Sequence, residues 1–172
     1  ILDLFEMISG NRNSYAMFKV GGVRRDIENA KIPTIKKTLE QFKKKNDLLT
    51  GAVMDDPVIH ARTKGVGILT KQDIIDYAAV GPTARASGIA IDVRKDDPYA
   101  AYPLVNWKVI TAEKGDVFAK AEVRLLEMYE SISIIEQCLE GLKKEKEGET
   151  EVKVKEITAG WGTGHDEAPR GE

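Results

Sequence analysis

The chain has 172 residues, enough for one domain with a single hydrophobic core, and its 42% hydrophobic and 31% charged residues are typical of a globular protein. The formal net charge of −2 argues against a nucleic-acid or membrane-surface partner bound by bulk charge, and no apolar run approaches the length of a membrane span. The single cysteine, Cys138, excludes an intramolecular disulfide and a cysteine-rich metal site made by this chain alone.

Both ends of the chain lie inside patterned sequence. It begins at Ile1 without an initiator methionine or a helix cap, and it finishes at Glu172 shortly after a glycine-rich run. We therefore expect an internal piece of a longer protein, organised as a single domain over residues 1–172. The sparing use of cysteine is typical of a reducing, cytoplasmic compartment.

The first part of the chain predicts two helices and a short strand. Apolar residues within 1–8 recur at helical spacing, and Gly10 follows as a stop signal. Residues 15–20 are predicted as a strand that ends at a pair of glycines. A second amphipathic helix begins at Ile32 and carries apolar residues through Phe42, so the lysines at 43–45 are expected in its last turn.

The middle of the chain predicts shorter elements. Residues 70–73 resemble a capping box, so a short helix is expected to begin there and to end before the Gly-Pro pair at 81–82. Residues 83–103 contain too many Gly, Asp and Pro residues for a long regular element, which indicates a packed loop or a functional segment. Residues 106–110 are predicted as a strand.

The strongest pattern follows Asp116, which suits a helix N-cap. Apolar residues then alternate at spacings of three and four, at Phe118, Ala121, Leu125, Met128, Ile132, Ile135, Leu139 and Leu142. This repeat predicts one long helix whose seam packs in a helical bundle, with Cys138 buried beside the seam. A solvated connector is expected over residues 143–148, and a strand over 151–157. The predicted fold class is α+β, mainly α, a helical-bundle segment with short strands around 15–20, 106–110 and 151–157 at its edge.

No local motif predicts a nucleotide or zinc site. The glycines within 160–164 follow a predicted strand, but residues 166–171 are a poor helix start, and the dinucleotide fingerprint requires a helix there. Neither His60 nor His165 is spaced with a second histidine or a cysteine as zinc ligands are.

Arginines beside residues that control backbone geometry are better candidates for a site. They are Arg24, Arg25, Arg62, Arg85 and Arg170. Each can serve as a simple ion-pair anchor, since the chain has 28 acidic residues. The functional alternative is that several of these guanidinium groups converge on one cavity.

An ordered set of short segments resembles the large subunit of membrane-bound, energy-converting nickel–iron hydrogenases and the homologous quinone-reductase subunit of respiratory complex I. The segments are LDLFE at 2–6, GGV at 21–23, GPTARASG at 81–88, DVRK at 92–95, PYAAY at 98–102, IIEQCL at 134–139 and EAPRGE at 167–172. The resemblance covers nearly the whole chain. Within it, the Ala-Ala-Tyr run and Pro-Arg-Gly in place of Pro-Lys-Gly favour the hydrogenase branch.

The resemblance implies that the intact parent protein is the catalytic subunit of an energy-converting hydrogenase, which interconverts dihydrogen with protons and electrons. It also implies an iron–sulfur small subunit and membrane subunits as partners, ferredoxin or a quinone as electron partner, and a peripheral position on the cytoplasmic side of the membrane. One alternative is a complex I-like NADH:quinone oxidoreductase segment without a metal of its own. Another is a noncatalytic helical scaffold that docks partners through the seam.

The same resemblance bears on the site residues. Hydrogenase large subunits hold nickel and iron with two Cys-x-x-Cys pairs, and this chain has neither, so no metal ligand is assigned and the chain alone is expected to be inactive without a cofactor. By resemblance, Arg170 and Glu167 are catalytic and Pro169 lies against the cofactor, with the Arg170 guanidinium directed at the open position of the metal pair. Glu167 is expected either to hold Arg170 in place or to form an ordinary ion pair of the loop.

Overall fold

The structure, a computed structural model, describes residues 1–146 and 148–172. Its α-helices are α1 (Leu2–Ser9), α2 (Ile32–Asp55), α3 (Pro57–Thr63), α4 (Lys71–Asp76), α5 (Gly81–Arg85), α6 (Val93–Asp96) and α7 (Val117–Leu142), with 3₁₀ turns at Asn29–Lys31 and Tyr102–Leu104. Two strands, β1 (Phe18–Lys19) and β2 (Gly22–Val23), form the one sheet found in these ranges. The predicted class, α+β and mainly α, is confirmed. Residue 147, in the predicted connector over 143–148, lies outside the described residues.

The described residues group into two compact units, and the first comprises Ile1–Phe42 and Leu139–Thr163. Helix α1 ends as predicted, because Gly10 adopts a left-handed φ of 84° and its N–H donates to the carbonyl of Glu6. The buried core of this unit consists of Ile32, Ile35, Leu39 and Leu139, with Leu4, Met7, Ile8, Ile27 and Leu142 packed against it. The predicted apolar face of α2 is therefore the buried one, whereas of the predicted face at residues 1–8 only Leu4 and Ile8 pack against the core, and Ile1 and Phe5 are exposed.

The sheet of the first unit is smaller than the sequence predicts. Strands β1 and β2 pair antiparallel, with Phe18 opposite Val23, so only part of the predicted strand at 15–20 forms. The predicted strand at 151–157 is wrong, because this segment contributes a single bridge between Glu151 and Gly22. The bridge depends on glycine: a Cβ atom on Gly22 would lie 2.2 Å from the carbonyl oxygen of Thr150.

The second unit comprises Lys43–Cys138 and Gly164–Glu172. Its buried centre contains Ala86, Ala119 and Val123, with Ile110 and Ala112 against them. Helix α7 begins as predicted, because Asp116 accepts hydrogen bonds from the N–H of Ala119 at 2.8 Å and of Gly65 at 2.9 Å. The predicted capping box is also confirmed, since the side chains of Thr70 and Asp73 each accept from the other's backbone N–H.

Two predicted helix boundaries are wrong. Helix α2 continues to Asp55, so the lysines at 43–45 lie in its middle and not in its last turn. No proline or turn-forming pair interrupts the sequence there, and the helix also accommodates Gly51. The Gly-Pro pair at 81–82 begins α5 instead of ending the helix before it, because proline is well suited to the first turn of a helix.

The predicted strand at 106–110 is also wrong. The backbone N–H groups of Asn106 and Lys108 donate to the side chains of Gln137 and Glu130, and no neighbouring strand pairs with this segment in the described ranges. Helix α7 departs from the predicted seam in its second half: Ile132 is buried, but Ile135 is 40% exposed and Cys138 is only half-buried. A straight helix with 3.6 residues per turn drifts away from a strict seven-residue repeat, and Ile134 is buried instead.

Candidate active site: an arginine-lined cavity

The site is built around Arg85, the last residue of α5. The N-terminus of this helix is fixed by Gly81, whose φ of 69° is left-handed, and by Pro82 in the first turn. Ala84 and Ala86 beside Arg85 are buried, and the Arg85 side chain is only 2% exposed. Because a guanidinium group keeps its charge under all ordinary conditions, its burial requires acidic partners and hydrogen-bond acceptors close by.

Three carboxylates from three separate segments neutralise the buried positive charge of Arg85. Nε of Arg85 donates to Oε1 of Glu127 on α7 at 2.6 Å. Nη1 donates to Oε1 of Glu167 at 3.0 Å and to the carbonyl of Ile91 at 2.9 Å, and it lies 3.4 Å from Oδ2 of Asp92. We call Arg85, Asp92, Glu127 and Glu167 the Arg85 cluster. It joins α5, the start of α6, α7 and the C-terminal loop.

Asp92 connects the cluster to a second arginine. It caps α6 by accepting from the N–H of Arg94, and it holds the Arg94 guanidinium through two bonds of 2.6 and 2.8 Å. The same guanidinium lies 4.6 Å from the ring centroid of Trp107 and 5.6 Å from that of Tyr102. The bonds to Asp92 raise the pKa of Arg94, and burial raises the pKa of Tyr102.

The C-terminal loop is held against α5 by two glycines. Ala168 and Gly171 exchange two backbone hydrogen bonds of 3.1 and 3.0 Å, which close a tight turn around Pro169 and Arg170. A Cβ atom on Gly81 would lie 2.2 Å from the carbonyl oxygen of Arg170, and one on Gly171 would lie 2.7 Å from the backbone nitrogen of Gly81. Only a pair of glycines allows this approach, and the approach sets the position of Arg170.

These segments surround a cavity of about 500 Å³. Its lining residues are Arg85, Arg94, Arg124, Glu127, Met128, Ser131, Glu167, Ala168, Pro169 and Arg170. The lining therefore contains four guanidinium groups and two carboxylates. Arg170 is exposed to the cavity and, within residues 1–146 and 148–172, has no carboxylate within 4.0 Å. The cavity is thus positively charged and suited to a ligand that carries or acquires negative charge.

Of the three carboxylates in the Arg85 cluster, Glu127 has the fewest hydrogen-bond donors and cations to stabilise its negative charge. Asp92 is 1% exposed and receives both Arg94 bonds, while Glu167 is 5% exposed and accepts from Arg85 and, at 3.4 Å, from the N–H of Val93. Glu127 is 20% exposed and accepts one guanidinium bond. Burial raises the pKa of Glu127 above its ordinary value, although the charge and the hydrogen bond of Arg85 act in the opposite direction.

The residues predicted from sequence meet in this cavity. Glu167, Pro169 and Arg170 all line it, and Arg85 joins Arg170 there, as expected if several arginines converge on one site. Their catalytic and cofactor-binding roles stay predictions. Glu167 pairs with Arg85 of α5, which lies outside the C-terminal loop, and not with Arg170, so neither expected pairing of Glu167 is the one observed. The other candidate arginines, Arg24, Arg25 and Arg62, are not among the lining residues.

Four members of the site were not identified from the sequence as site residues. They are Asp92, Arg94, Arg124 and Glu127. A signal existed for Glu127, because it immediately precedes the seam position Met128 and therefore borders the buried stripe of α7. Asp92 is a residue type that is common at helix N-caps, which indicates helix α6 but not an ion pair with a distant arginine.

The residues present do not fit a thiolate-bound metal centre. Within residues 1–146 and 148–172 no group of three or more His, Cys, Asp or Glu side chains has the arrangement of a metal site, and the single cysteine lies on α7, outside the cavity lining. None of the helices in the same ranges combines the length and the apolar character needed to cross a bilayer.

Comparison with known proteins gives consistent matches. A family model described as "Respiratory-chain NADH dehydrogenase, 49 Kd subunit" matches residues 1–163, so the match ends before the loop that carries Arg170. An NADH-quinone oxidoreductase subunit of Geotalea uraniireducens is 38% identical over 143 residues, which are 83% of this chain and 37% of that protein. NADH-quinone oxidoreductase subunit 4 of Thermus thermophilus is 38% identical over 143 residues, 83% of this chain and 35% of that protein.

A solved structure shares the fold. A chain in the structure of the membrane-bound sulfane sulfur reductase, an archaeal respiratory membrane complex, superposes with a TM-score of 0.81 and 32% identity over 90% of this chain and 41% of that one. The chain thus spans little more than a third of the length of the curated relatives. Of the two branches that the sequence resembles, the matched family model is that of complex I. The chain belongs to the family of the 49 kDa subunit of the respiratory-chain NADH dehydrogenase.

Proposed function

We propose that the intact protein is the large subunit of a membrane-bound respiratory oxidoreductase related to complex I, and that this chain forms the arginine-lined wall of its substrate cavity. The substrate reduced there is a quinone. The observation that carries the proposal is the cavity itself: four arginines and two glutamates converge on it in a chain whose relatives include NADH-quinone oxidoreductase subunits. The noncatalytic scaffold considered from the sequence does not account for this convergence of charge.

The chemistry of quinone reduction matches the lining. Each electron that reaches the ring adds negative charge to the quinone oxygens, and fixed guanidinium donors stabilise such charge without being deprotonated. Arg170 suits this role because it faces the cavity without a competing carboxylate among the described residues. Arg85 and Arg94 are engaged with acids, so they position the wall. Met128 and Pro169 supply apolar surface for the ring.

The parent protein then works with other subunits. Electrons reach the cavity from iron–sulfur clusters in a small partner subunit, which NADH or ferredoxin reduces, and membrane subunits anchor the assembly. The chain is a peripheral part of that assembly on the cytoplasmic side of the membrane. The names of the matched proteins, which describe subunits of a quinone oxidoreductase and a respiratory membrane complex, support a place in a membrane assembly of several subunits.

A second candidate is conversion of dihydrogen, as in the hydrogenase branch. The observation that favours it is the segment Pro169-Arg170-Gly171 at the cavity, where the sequence has arginine and not lysine. A nickel–iron centre needs thiolates, and this chain supplies none at the cavity. All four cysteines would have to come from other parts of the parent protein. Arg170 would then donate hydrogen bonds at the metal site, and Pro169 would lie against it.

One purified preparation distinguishes the two functions. The intact complex is assayed for reduction of a soluble quinone by NADH or reduced ferredoxin and, separately, for hydrogen evolution from a reduced viologen dye. Nickel is measured by elemental analysis. Quinone reduction without nickel supports the proposed function, whereas hydrogen evolution with one nickel per complex assigns the second. Absence of both redox activities contradicts both.

A further inference from the structure

The Arg85 cluster carries more negative than positive charge. Its three carboxylates, from Asp92, Glu127 and Glu167, surround Arg85, and Arg94 is the other cation in direct contact with them. Two guanidinium groups are therefore in direct contact with three acids, while Arg124 and Arg170 line the same cavity without an ion pair to these acids among the described residues. In a partly dehydrated site, a carboxylate left without a full share of positive charge tends to take up a proton.

The hydrogen bonds show which of the three acids can accept that proton at least cost. Asp92 accepts from the backbone and the side chain of Arg94, and it also lies beside Arg85. Glu167 accepts from Arg85 and from a backbone N–H. Glu127 accepts only from Nε of Arg85, through Oε1, so its Oε2 is free among the described residues to carry a hydrogen atom. Protonation there breaks no hydrogen bond.

Glu127 also has access to the cavity. It is the most exposed carboxylate of the cluster, and it lines the cavity together with Arg170. A proton on Asp92 or Glu167 would be enclosed, because these side chains are 1% and 5% exposed. The raised pKa of Glu127, caused by burial, agrees with this geometry. The other charged groups that face it are Arg85, Arg94, Asp92, Glu167, Arg124 and Arg170, with Asp96 bonded to the Asp92 backbone N–H behind them.

We propose that Glu127 is a proton-exchanging residue of the cavity, which delivers a proton to the molecule reduced there and is reprotonated from solvent. In the transfer, the O–H bond of Glu127 breaks, its electron pair stays on the carboxylate, and the proton forms a new O–H bond on an oxygen of the reduced quinone. The two electrons come from the iron–sulfur clusters of the partner subunit, as in the proposed function, on which this role of Glu127 rests. Arg85 compensates the carboxylate that remains.

The test uses the intact complex with three variants. Glu127→Gln keeps the volume of the side chain and an acceptor for Arg85, but it cannot exchange a proton. Glu127→Asp keeps the acid and moves it away from the cavity. Glu130→Gln is the matched control, because Glu130 lies on the same helix and accepts a backbone hydrogen bond from Lys108, but does not line the cavity.

For quinone reduction we expect Glu127→Gln to lower kcat by roughly 10²-fold, a usual loss for a general acid, with KM unchanged. The decline of the rate with rising pH, where Glu127 loses its proton, should disappear in this variant. Glu127→Asp should restore part of kcat and the pH dependence, and Glu130→Gln should behave as the wild type. A wild-type rate and pH profile for Glu127→Gln would overturn the proposal.

A second measurement does not depend on turnover. In the complex labelled with ¹³C-glutamate, infrared spectra should show a protonated carboxyl band that titrates above 4.5, the ordinary pKa of glutamate, and that is missing in Glu127→Gln. A labelled wild type without such a band would overturn the proposal, even if the variant fails to fold. A complex without redox activity contradicts the proposed function, and the band still decides whether Glu127 holds the proton.

Discussion

Nε of Arg85 donates to Oε1 of Glu127 at 2.6 Å, across 42 residues of sequence. This bond joins α5 to the middle of α7 and leaves the second guanidinium edge of Arg85 for Glu167 and Asp92. The pairing makes Arg85 the structural centre of the cavity wall, while Arg170 keeps its donors for a ligand. Structural and chemical roles are thus divided between two arginines of the same cavity.

Replacing Arg85 should destabilise the fold severely. Arg85→Ala leaves three carboxylates without their common partner, and removal of one partner from a buried ion pair typically costs about 3–5 kcal/mol. Urea unfolding of the purified protein measures the loss. Arg62→Ala, at an exposed position of α3, is the control and should change the free energy of unfolding by less than about 0.5 kcal/mol. Equal effects of the two substitutions would contradict the role of Arg85 as the common partner of the three carboxylates.

Two isoleucines on α7 separate the predicted seam from the observed one. Ile132 is 4% exposed and Ile135 is 40% exposed. Ile132→Asp places an unpaired charge in the interior and should cost more than about 4 kcal/mol, at the exceptional end of single substitutions. Ile135→Asp should cost far less, because its carboxylate reaches water. Thermal unfolding of both variants tests this, and similar melting temperatures would refute the observed burial pattern.

Arg170→Lys tests the planar guanidinium group at the cavity. Lysine keeps the charge but loses the fixed fork of donors, so the intact complex should assemble normally and lose roughly 10²-fold or more in turnover. Size-exclusion chromatography checks assembly, and steady-state kinetics measures turnover. Arg62→Lys, away from the cavity, should have wild-type activity. A fully assembled Arg170→Lys complex with the wild-type rate would assign Arg170 to structure alone.

The contact between Gly81 and Gly171 should not tolerate a methyl group. Gly81→Ala would bring Cβ within 2.2 Å of the Arg170 carbonyl oxygen, so the C-terminal loop must move and Arg170 must move with it. We expect reduced turnover and lower stability in this variant. Gly141→Ala is the control: its Cβ would meet nothing within 4 Å, and alanine in a helix should stabilise the protein by up to about 1 kcal/mol.

Asp116 should make the stability depend on acid pH. Burial alone raises the pKa of this carboxyl, but the N–H groups of Gly65 and Ala119 outweigh burial and hold the pKa below its ordinary value of 3.8. The stabilisation by the ionised group is therefore fully present above 3.8 and is lost as the pH falls through the lower, folded-state pKa. Urea unfolding over a pH series should show a smaller acid-side loss in Asp116→Asn, and an unchanged pH dependence would contradict this.

The sequence allowed the helices to be predicted better than the strands and the site. The caps at Gly10, Thr70 and Asp116 are local signals, because each has a hydrogen-bond partner within four residues, and all three are confirmed. Strands need a partner elsewhere in the chain. The segments at 106–110 and 151–157 have the composition of strands, but the first binds side chains of α7 through its backbone and the second forms a single bridge.

The candidate site was predictable only in part for the same reason. Arg170 and Glu167 lie in a short loop whose proline and glycine are visible in the sequence. Glu127 lies off the predicted seam of α7, and nothing within a few positions of it marks Arg85 as its partner. Ion pairs between segments this distant depend on tertiary packing, which local patterns do not encode.

The Arg85 cluster also has a consequence for the order in which the chain can fold. Asp92 is synthesised shortly after Arg85, Glu127 follows 42 positions after Arg85, and Glu167 follows 82 positions after it. Closing such long loops costs entropy before any contact is gained, so the cluster should be completed late in folding. During synthesis on the ribosome, the Arg85 cluster therefore stays incomplete until Glu167 has emerged. A nascent chain arrested before Glu167 should accordingly keep α5 loosely attached and open to proteases, while the helices themselves are already formed.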